Sequence, residues 1–493
     1  MGPLVAEVSG KLEVSAAGAA NDSRKIKPGY IFIAISGAAD DGHRYLDRAL
    51  AAGARAVISE RKLRLPDGVA AIRVHDAYAA AGIAAEVMYD FPARQLELVG
   101  ITGTNGKTTT AFLLRDILAR ADGRVGLIGT VGYDCGTGFR PASRTTPDPF
   151  VLQELFAGMV ASGCRRAVLE VSSHALVQNR LGRTRFQVAV FTNLSGDHLD
   201  YHHDMESYFQ AKRKLFSEYL VSGGRIVVNG DDRYGRRLYR CFYRCRPRVF
   251  GRRRRDFEWR LRIIRAALSG QVCQLSGPGT ARRFFLPLVG AYNAENLAAA
   301  VLAARELGVD WPVIAAALKE TRGVPGRLDA VSFPDRAVAL VDYAHTDDAL
   351  AKVIRTLREL PHRKLIVVFG CGGDRDRAKR PRMARAAARA DHVVITSDNP
   401  RSEEPDAIVA DILAGIPPGT SFEVELDRRR ALALAAARLG PEDILLVAGK
   451  GHEDYQEIRG ERIFFDDRIE LERLSRGLDK SPAAGKNGLV CDS

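Results

Sequence analysis

The sequence predicts an α/β protein built from three domains, and three observations carry that reading. Short continuous runs of apolar, often β-branched residues recur along the chain, at Tyr30–Ala34, Leu96–Thr102, Val125–Ile128, Ala167–Val171, Val188–Phe191, Arg225–Val228, Val338–Val341, Lys364–Phe369, His392–Thr396 and Ile444–Val447. Such runs mark strands of a parallel sheet covered on both faces. Between them lie alanine-rich or amphipathic helical stretches: Tyr45–Ala52, Ala77–Met88 and Thr109–Arg120, where Phe112, Leu113, Ile117 and Leu118 fall on helical spacing. Finally, 493 residues exceed what one hydrophobic core serves.

These elements divide into a first block at 1–95, a central block at 96–328 and a third at 329–476, with a tail at 477–493 whose Ser-Pro-Ala-Ala-Gly-Lys-Asn-Gly composition predicts disorder. With 46% hydrophobic and 27% charged residues the chain has the composition of a water-soluble globular protein. No apolar stretch approaches the ~18 residues of a membrane span, and the N-terminus lacks the pattern of a secretory signal. Seven scattered cysteines without a C-x-x-C pair suit free thiols in a reducing cytoplasm. The net charge of +13 is concentrated: Arg233–Arg265 holds fourteen arginines against two acids, leaving +12 in that segment. Such a run reads as a solvated insertion or extended hairpin; a polyanion-binding patch is the alternative.

The chemistry begins in the central block. Gly100-Ile-Thr-Gly103-Thr104-Asn105-Gly106-Lys107-Thr108-Thr109-Thr110 joins a strand to a helix. Glycines allow close backbone approach, and a helix N-terminus offers unpaired N–H groups to phosphate oxygens. Lys107 would neutralise β/γ-phosphate charge and the Thr108 hydroxyl would face Mg²⁺. The spacing departs from the general phosphate-loop pattern because position 101 is Ile. Glu170 closes one strand, and another leads into Thr192-Asn-Leu-Ser-Gly-Asp197-His198, so carboxylate and imidazole reach the sheet edge where α/β proteins bind ligands. Mg²⁺ keeps several waters and needs few protein ligands. Zn²⁺ is the rival for a histidine cluster, but adjacent His202 and His203 cannot both face one ion, and no cysteine stands near.

Gly103-Thr-Asn-Gly-Lys-Thr-Thr109 resembles the ATP loop of the Mur ligase superfamily, which contains peptidoglycan amino-acid ligases and folylpolyglutamate synthetases. The resemblance extends over roughly 20–470 with its motifs in order. It implies a central P-loop ATPase-like parallel sheet flanked by an α/β N-terminal domain that binds a UDP-substrate and a Rossmann-like C-terminal domain that binds an amino acid. By this resemblance Glu170 bridges two Mg²⁺ and His198 serves the second. Lys212, in Tyr208-Phe-Gln-Ala-Lys212-Arg-Lys-Leu-Phe216, carries a carbamate (N6-carboxylysine) that supplies a metal-binding carboxylate, with Lys214 the alternative. Asn293 and Asn296, one helical turn apart, are the adenine-side amides, although caps of their helix would look the same. Arg327 and Asp342 flank a block boundary, where they would grip phosphate and ribose. His345 lies near the reacting carboxylate, and Asp347 stands where the family has proline.

Three loops after strands of the third block present Arg375, then Asp398-Asn399-Pro400-Arg401, then Gly449 and Glu453. Two guanidinium forks, an amide and a carboxylate suit a zwitterion bearing a second carboxylate. Asp398-Asn-Pro-Arg401 resembles the signature of the diaminopimelate-adding branch, and no nearby acid in sequence neutralises its arginine. Ser23 resembles part of the uridine site, with Gly37–Gly42 beside it. Thr145, Thr146, Ser172, Gln178 and Arg180 resemble the muramoyl-dipeptide contacts, and Arg144 replaces the asparagine often found there.

The resemblance therefore implies a monomeric cytoplasmic ligase of cell-wall synthesis that uses ATP and two Mg²⁺. It would add meso-2,6-diaminopimelate to the D-glutamate γ-carboxylate of UDP-N-acetylmuramoyl-L-alanyl-D-glutamate through an acyl phosphate. L-lysine is the alternative acceptor. A P-loop regulatory NTPase would leave Arg375, Arg401 and Glu453 idle, and a nucleic-acid-binding protein would rest on the arginine run alone.

Overall fold

In the computed structural model, residues 4–10, 16–37, 40–254, 256–321 and 323–477 are described. The tail from 478 and positions 38 and 39 of the Gly37–Gly42 loop lie outside them. The chain forms two compact units. One comprises Met1–Arg262, Gln274–Arg283 and Glu295–Glu320; the other comprises Ile263–Cys273, Phe284–Ala294 and Thr321–Ser493.

The first unit holds a five-stranded sheet of β1 (Val5–Ser9), β2 (Gly18–Ala20), β3 (Tyr30–Ala34), β4 (Ala56–Ser59) and β5 (Ala70–Val74), in the order β1-β5-β4-β3-β2. Only β1 runs antiparallel to its neighbour. The helix expected at Tyr45–Ala52 starts at Leu46, because Asp41 accepts from the His43 amide and draws Gly42–Tyr45 into a 3₁₀ turn.

The central sheet comprises β6 (Glu97–Thr102), β7 (Val125–Ile128), β8 (Gly132–Asp134), β9 (Phe139–Pro141), β10 (Arg166–Glu170), β11 (Phe186–Phe191), β12 (Leu220–Asn229) and β13 (Arg248–Gly251). Their order is β13-β12-β11-β6-β10-β7-β8-β9, continued beyond β13 by β14 (Trp259–Ala267), β15 (Gly270–Gly277) and β16 (Thr280–Leu286). The long runs pair in parallel, and Leu98, Val99, Val168, Val188 and Val190 are wholly buried, as helices on both faces require. β10 and β11, which end near Glu170 and lead to His198, are not adjacent; β6 and its phosphate loop lie between them.

The arginine run is not an appended hairpin. Residues 233–241 form a helix, β13 pairs with β12, and β14 pairs with β13. Val249, Phe250, Trp259 and Leu261 are buried, while Arg237, Arg248 and Arg252 of the run meet Glu206, Glu258, Glu306 and Glu295. The density of arginine concealed the short buried strand β13 and the alternation of buried and less buried residues at the start of β14.

The second unit contains β17 (Arg327–Ser332), β18 (Val338–Asp342), β19 (Leu365–Phe369), β20 (His392–Ile395), β21 (Phe422–Val424) and β22 (Ile444–Ala448), in the order β17-β18-β22-β19-β20-β21. It is a three-layer arrangement. Val367 and Phe369 face the helices 347–358, 379–387 and 405–413; Ile366 and Val368 face 428–437 and 467–475. A hairpin of β23 (Tyr455–Ile458) and β24 (Glu461–Phe464) follows β22.

Because β13 belongs to the sheet, Phe250→Ala is expected to lower stability by about 3–5 kcal/mol in chemical denaturation. Arg240→Gln, on the exposed side of the same segment, is expected to stay within about 0.5 kcal/mol of wild type.

Candidate active site

The phosphate loop leaves β6 at Thr102 and enters the helix Lys107–Asp122. Gly106 takes φ +84° at the helix N-cap, and a Cβ there would collide with the Asn296 side-chain oxygen, so glycine serves both conformation and approach. The loop is clamped from β11's exit: the Asn105 amide donates to Asn193 Oδ1 at 3.0 Å, and Thr192 Oγ1 and Asn193 Nδ2 donate to the Asn105 carbonyl at 2.7 and 3.0 Å. Thr104 Oγ1 lies 3.2 Å from the Ser195 carbonyl and 3.3 Å from Tyr208 Oη.

Two lysines converge on this loop. Lys107 Nζ donates to the carbonyls of Gly103 and Thr104 at 2.9 and 2.8 Å, and Lys212 Nζ donates to the same Gly103 carbonyl at 2.8 Å. Lys212 is buried, with its ammonium over the Tyr208 ring. Burial, reinforced by the neighbouring Lys107 charge, pushes the Lys212 ammonium well below the ordinary lysine range.

Glu170 stands at the end of β10 with no exposed surface. Thr108 Oγ1 donates to its Oε2 at 3.0 Å, Thr130 Oγ1 donates to the same oxygen at 3.1 Å, and the Thr130 amide donates to Oε1 at 3.0 Å. The Thr108 hydroxyl and Glu170 carboxylate are thus side by side, an oxygen set that suits Mg²⁺. No group of three His, Cys, Asp or Glu able to hold a metal occurs among the described residues. His198 takes a left-handed backbone (φ +54°), lies 3.5 Å from Asp197, and sets its ring against His174 and Tyr208.

The network continues outward. Thr145 Oγ1 lies 3.0 Å from Thr130 Oγ1, and Thr146 Oγ1 donates to the Glu170 carbonyl at 2.8 Å while accepting from the Ser172 amide. Arg180 Nη1 donates to the Thr146 carbonyl at 2.9 Å and its Nε to Gln178 Oε1 at 2.8 Å. Burial and the nearby Arg144 charge both push the Arg180 guanidinium downward, against the opposing pull of Tyr78 and Asp148. Five residues expected at one substrate site are therefore contiguous with the Glu170 site. Ser23 is buried in a 3₁₀ turn of the five-stranded sheet's region, capped by Asp22.

The two asparagines differ. Asn296 packs against Gly106 and Thr110, whereas Asn293 Nδ2 donates to the Val289 carbonyl at 2.8 Å as a helix-start bond.

In the second unit, Asp342 accepts from the Leu328 and Ala344 amides at 2.8 and 2.9 Å. Burial pushes its carboxyl up against the pull of Arg327, whose guanidinium lies over the Tyr343 ring. His345 packs edge-on to Tyr343, its Nδ1 2.9 Å from that residue's carbonyl.

The three loops expected to hold an amino acid do meet. Arg401 Nη1 donates to the Gly373 carbonyl at 2.8 Å, and Arg375 and Arg401 flank Gly372. Asn399 Nδ2 donates to Glu453 Oε2 at 2.9 Å, and Gly449 packs on Asp398. No acid close to Arg401 in sequence is expected to neutralise it; the fold brings one from farther along the chain, with the Glu457 carboxylate of β23 3.7 Å from its Nε. Backbone pairing of Arg401 with the hairpin, through its amide to the Glu457 carbonyl at 2.9 Å, brings that acid in from beyond Pro400.

Three family profiles match this chain: the Mur ligase catalytic domain at 17–91, the Mur ligase middle domain at 101–304, and the Mur ligase glutamate ligase domain at 326–451. A relative from Gloeobacter violaceus named UDP-N-acetylmuramoyl-L-alanyl-D-glutamate–2,6-diaminopimelate ligase is 46% identical, over 96% of each chain. The like-named protein of Thermosynechococcus vestitus is 43% identical over 94% of this chain and 93% of its own. The chain belongs to the Mur ligase family. A solved structure of a 2,6-diaminopimelate ligase bearing the same name superposes with a TM-score of 0.68 at 33% identity, covering 95% of this chain and 97% of that one.

Several polar residues of this Mur ligase escaped sequence reasoning: Thr130, Asn193, Ser195, Lys450 and Glu457. Thr130, Asn193 and Lys450 left a usable signal, because each lies two residues beyond the end of a strand (β7, β11 and β22) at the ligand edge of its sheet. Thr130→Val keeps the shape and removes one donor from a buried carboxylate. It is expected to lower stability by about 1–3 kcal/mol in chemical denaturation.

Proposed function

We propose that this chain is an ATP- and Mg²⁺-dependent ligase that joins meso-2,6-diaminopimelate to the D-glutamate γ-carboxylate of UDP-N-acetylmuramoyl-L-alanyl-D-glutamate during peptidoglycan precursor synthesis. The observation that carries the reading is the amino-acid signature Asp398-Asn-Pro-Arg401 folded against Arg375, Gly449 and Glu453, in a chain whose named relatives match it nearly end to end. We assign 1–95 to the UDP-substrate, 96–328 to ATP and 329–476 to the amino acid, and the working compartment to the cytoplasm with the protein a monomer. No helix among the described residues is long and apolar enough to cross a membrane.

Loop residues Gly103–Thr109 and the helix N-terminus would hold the ATP phosphates, with Lys107 turning from its loop carbonyls to the β/γ-oxygens. Asn296 would border the adenine side, with Asn293 turning from its helix-start bond; Arg327 and Asp342 would serve phosphate and ribose. Thr108 and Glu170 would hold Mg²⁺, joined by His198 and by Lys212 as a carbamate; the metal supplies charge neutralisation for phosphoryl transfer. A deprotonated Lys212 amine would add CO₂ at its nitrogen, releasing one proton and leaving a carbamate anion; burial and Lys107, by disfavouring the ammonium, act in that direction.

Ser23 would contact the uridine end of the acceptor substrate. Thr145, Thr146, Ser172, Gln178 and Arg180 would hold its peptide end, which the Thr145–Thr130–Glu170 chain keeps beside the nucleotide loop. The γ-carboxylate oxygen attacks the γ-phosphorus and ADP leaves. The diaminopimelate amine then attacks the acyl carbon, and phosphate departs as the amine loses its proton; we assign His345 to the neighbourhood of that carbon. Positioning and electrostatics do the work.

Arg375 and Arg401 would receive the distal carboxylate of diaminopimelate, and Glu453 and Asn399 its ammonium end. Glu457 already balances part of the Arg401 charge, so the substrate carboxylate exchanges with an internal partner rather than meeting a bare cation. A charged hydrogen bond of this type contributes about 1.5–3 kcal/mol, and a lysine ammonium near the fork would be repelled.

Purified protein given ATP and UDP-muramoyl dipeptide is therefore expected to release phosphate with meso-diaminopimelate roughly a thousandfold more efficiently than with L-lysine. Equal use of lysine would remove the acceptor assignment. Arg401→Ala is expected to lower kcat/KM for diaminopimelate by about tenfold or more while ATP affinity, read by calorimetry, stays within about twofold.

A further inference from the structure

Lys450 has no exposed side-chain surface, yet it carries an ammonium into the middle of the second unit's ligand loops. Its Nζ donates to Asn399 Oδ1 at 3.1 Å and to Asp398 Oδ1 at 3.4 Å, and lies 3.9 Å from Glu453 Oε2. The Tyr455 ring covers it at 5.6 Å. A group so enclosed does not reach a substrate, so its influence passes through the residues it touches.

Two consequences follow from the donor geometry. Asn399 Oδ1 accepts from both Lys450 and the Glu457 amide, at 3.1 and 3.0 Å. Two donors on one oxygen fix which end of the amide is which, and Asn399 Nδ2 must then face Glu453, where it is found at 2.9 Å. The charge distribution is the second consequence. Two carboxylates, Asp398 and Glu453, share one buried lysine; it lies nearer Asp398, whose side chain is 10% exposed, than Glu453, whose side chain is 21% exposed. The more accessible carboxylate is the one left with the smaller share of the cation. Burial and Asp398 push the Glu453 carboxyl up, while Lys450 and Asn399 oppose them.

We propose that Lys450 is a positioning residue of the amino-acid site: it fixes the Asn399 amide and neutralises Asp398, leaving Glu453 as the anion that receives the ammonium end of the amino-acid substrate. The inference rests on the reading of Asp398–Arg401 and Glu453 as that site. Without Lys450, Asn399 Oδ1 keeps only the Glu457 amide as donor and is less firmly oriented, and Asp398 and Glu453 lose the buried cation they share, so both compete for the ammonium of the ligand.

The test uses the full chain with ATP, UDP-muramoyl dipeptide and whichever amino acid the wild-type protein accepts, diaminopimelate being expected. A failure of the site's acceptor reading then appears in the wild type, and a failure of the Lys450 inference appears in the variants. Lys450→Met is expected to raise KM for the amino acid by at least about tenfold, the scale of a lost buried charged hydrogen bond, with KM for ATP and for the dipeptide within about twofold. Glu453→Gln is expected to raise the same KM, and the double variant to be no worse than the poorer single one, because both changes act on one ammonium contact.

An unchanged amino-acid KM in Lys450→Met, a parallel rise of all three KM values, or additive losses in the double variant would overturn the proposal. Should Lys450→Met fail to fold, the double variant, which carries one carboxylate fewer, is expected to fold and to match Glu453→Gln. If it too fails to fold, Lys450 is a structural residue and the proposal falls.

Discussion

The carboxylate of Glu170 is sealed from solvent, and a buried anion costs several kcal/mol unless donors surround it. Much of the first unit's ligand edge follows from supplying them. Thr108 must open the helix after β6, Thr130 must follow β7, and both must face the end of β10. This in turn fixes the strand order, with β10 between β6 and β7 in parallel register. The same geometry carries Thr145 and Thr146 to the far side of Glu170, so one carboxylate ties the phosphate loop to the residues that lead to Arg180. On the proposed reading, a charge expensive to bury is kept because its hydroxyl donors would give way to a cation when nucleotide binds.

A second buried charge group organises the other unit. There the carboxylates of Asp398 and Glu453 lie beside Lys450 in loops that follow parallel strands, and Asn399 links Lys450 to Glu453. Both sites obey the rule that ligands gather beyond the carboxyl ends of parallel strands. They differ in chemistry: hydroxyls around one carboxylate suit a hard metal ion, while balanced carboxylates, amide and guanidinium suit an amino acid.

Local pattern made part of this legible in the sequence. The phosphate loop announces itself because glycine, lysine and threonine stand between an apolar strand and an amphipathic helix, and Glu170 because it ends an apolar run. The third block's loops were visible for the same reason. What stayed hidden depends on pairing between distant segments. Glu457 reaches Arg401 only because a later hairpin bridges back to it, and Asn193 clamps the nucleotide loop across 88 residues of sequence. β13 and β14 were masked by arginine, since burial of Val249, Phe250, Trp259 and Leu261 leaves the charge count unchanged. The strand order was hidden too, because nothing in the sequence says that β6 enters between β10 and β11.

The account's central claim is that Thr108 and Glu170 exchange their mutual hydrogen bond for a shared cation beside the ATP phosphates. Anomalous diffraction from crystals grown with Mn²⁺ and a non-hydrolysable ATP analogue tests it most directly. The account predicts a peak about 2.0–2.2 Å from both the Thr108 hydroxyl and a Glu170 oxygen, with phosphate oxygens completing the shell. Nucleotide bound in the loop with Thr108 still donating to Glu170, and the Mn²⁺ held elsewhere, would contradict it.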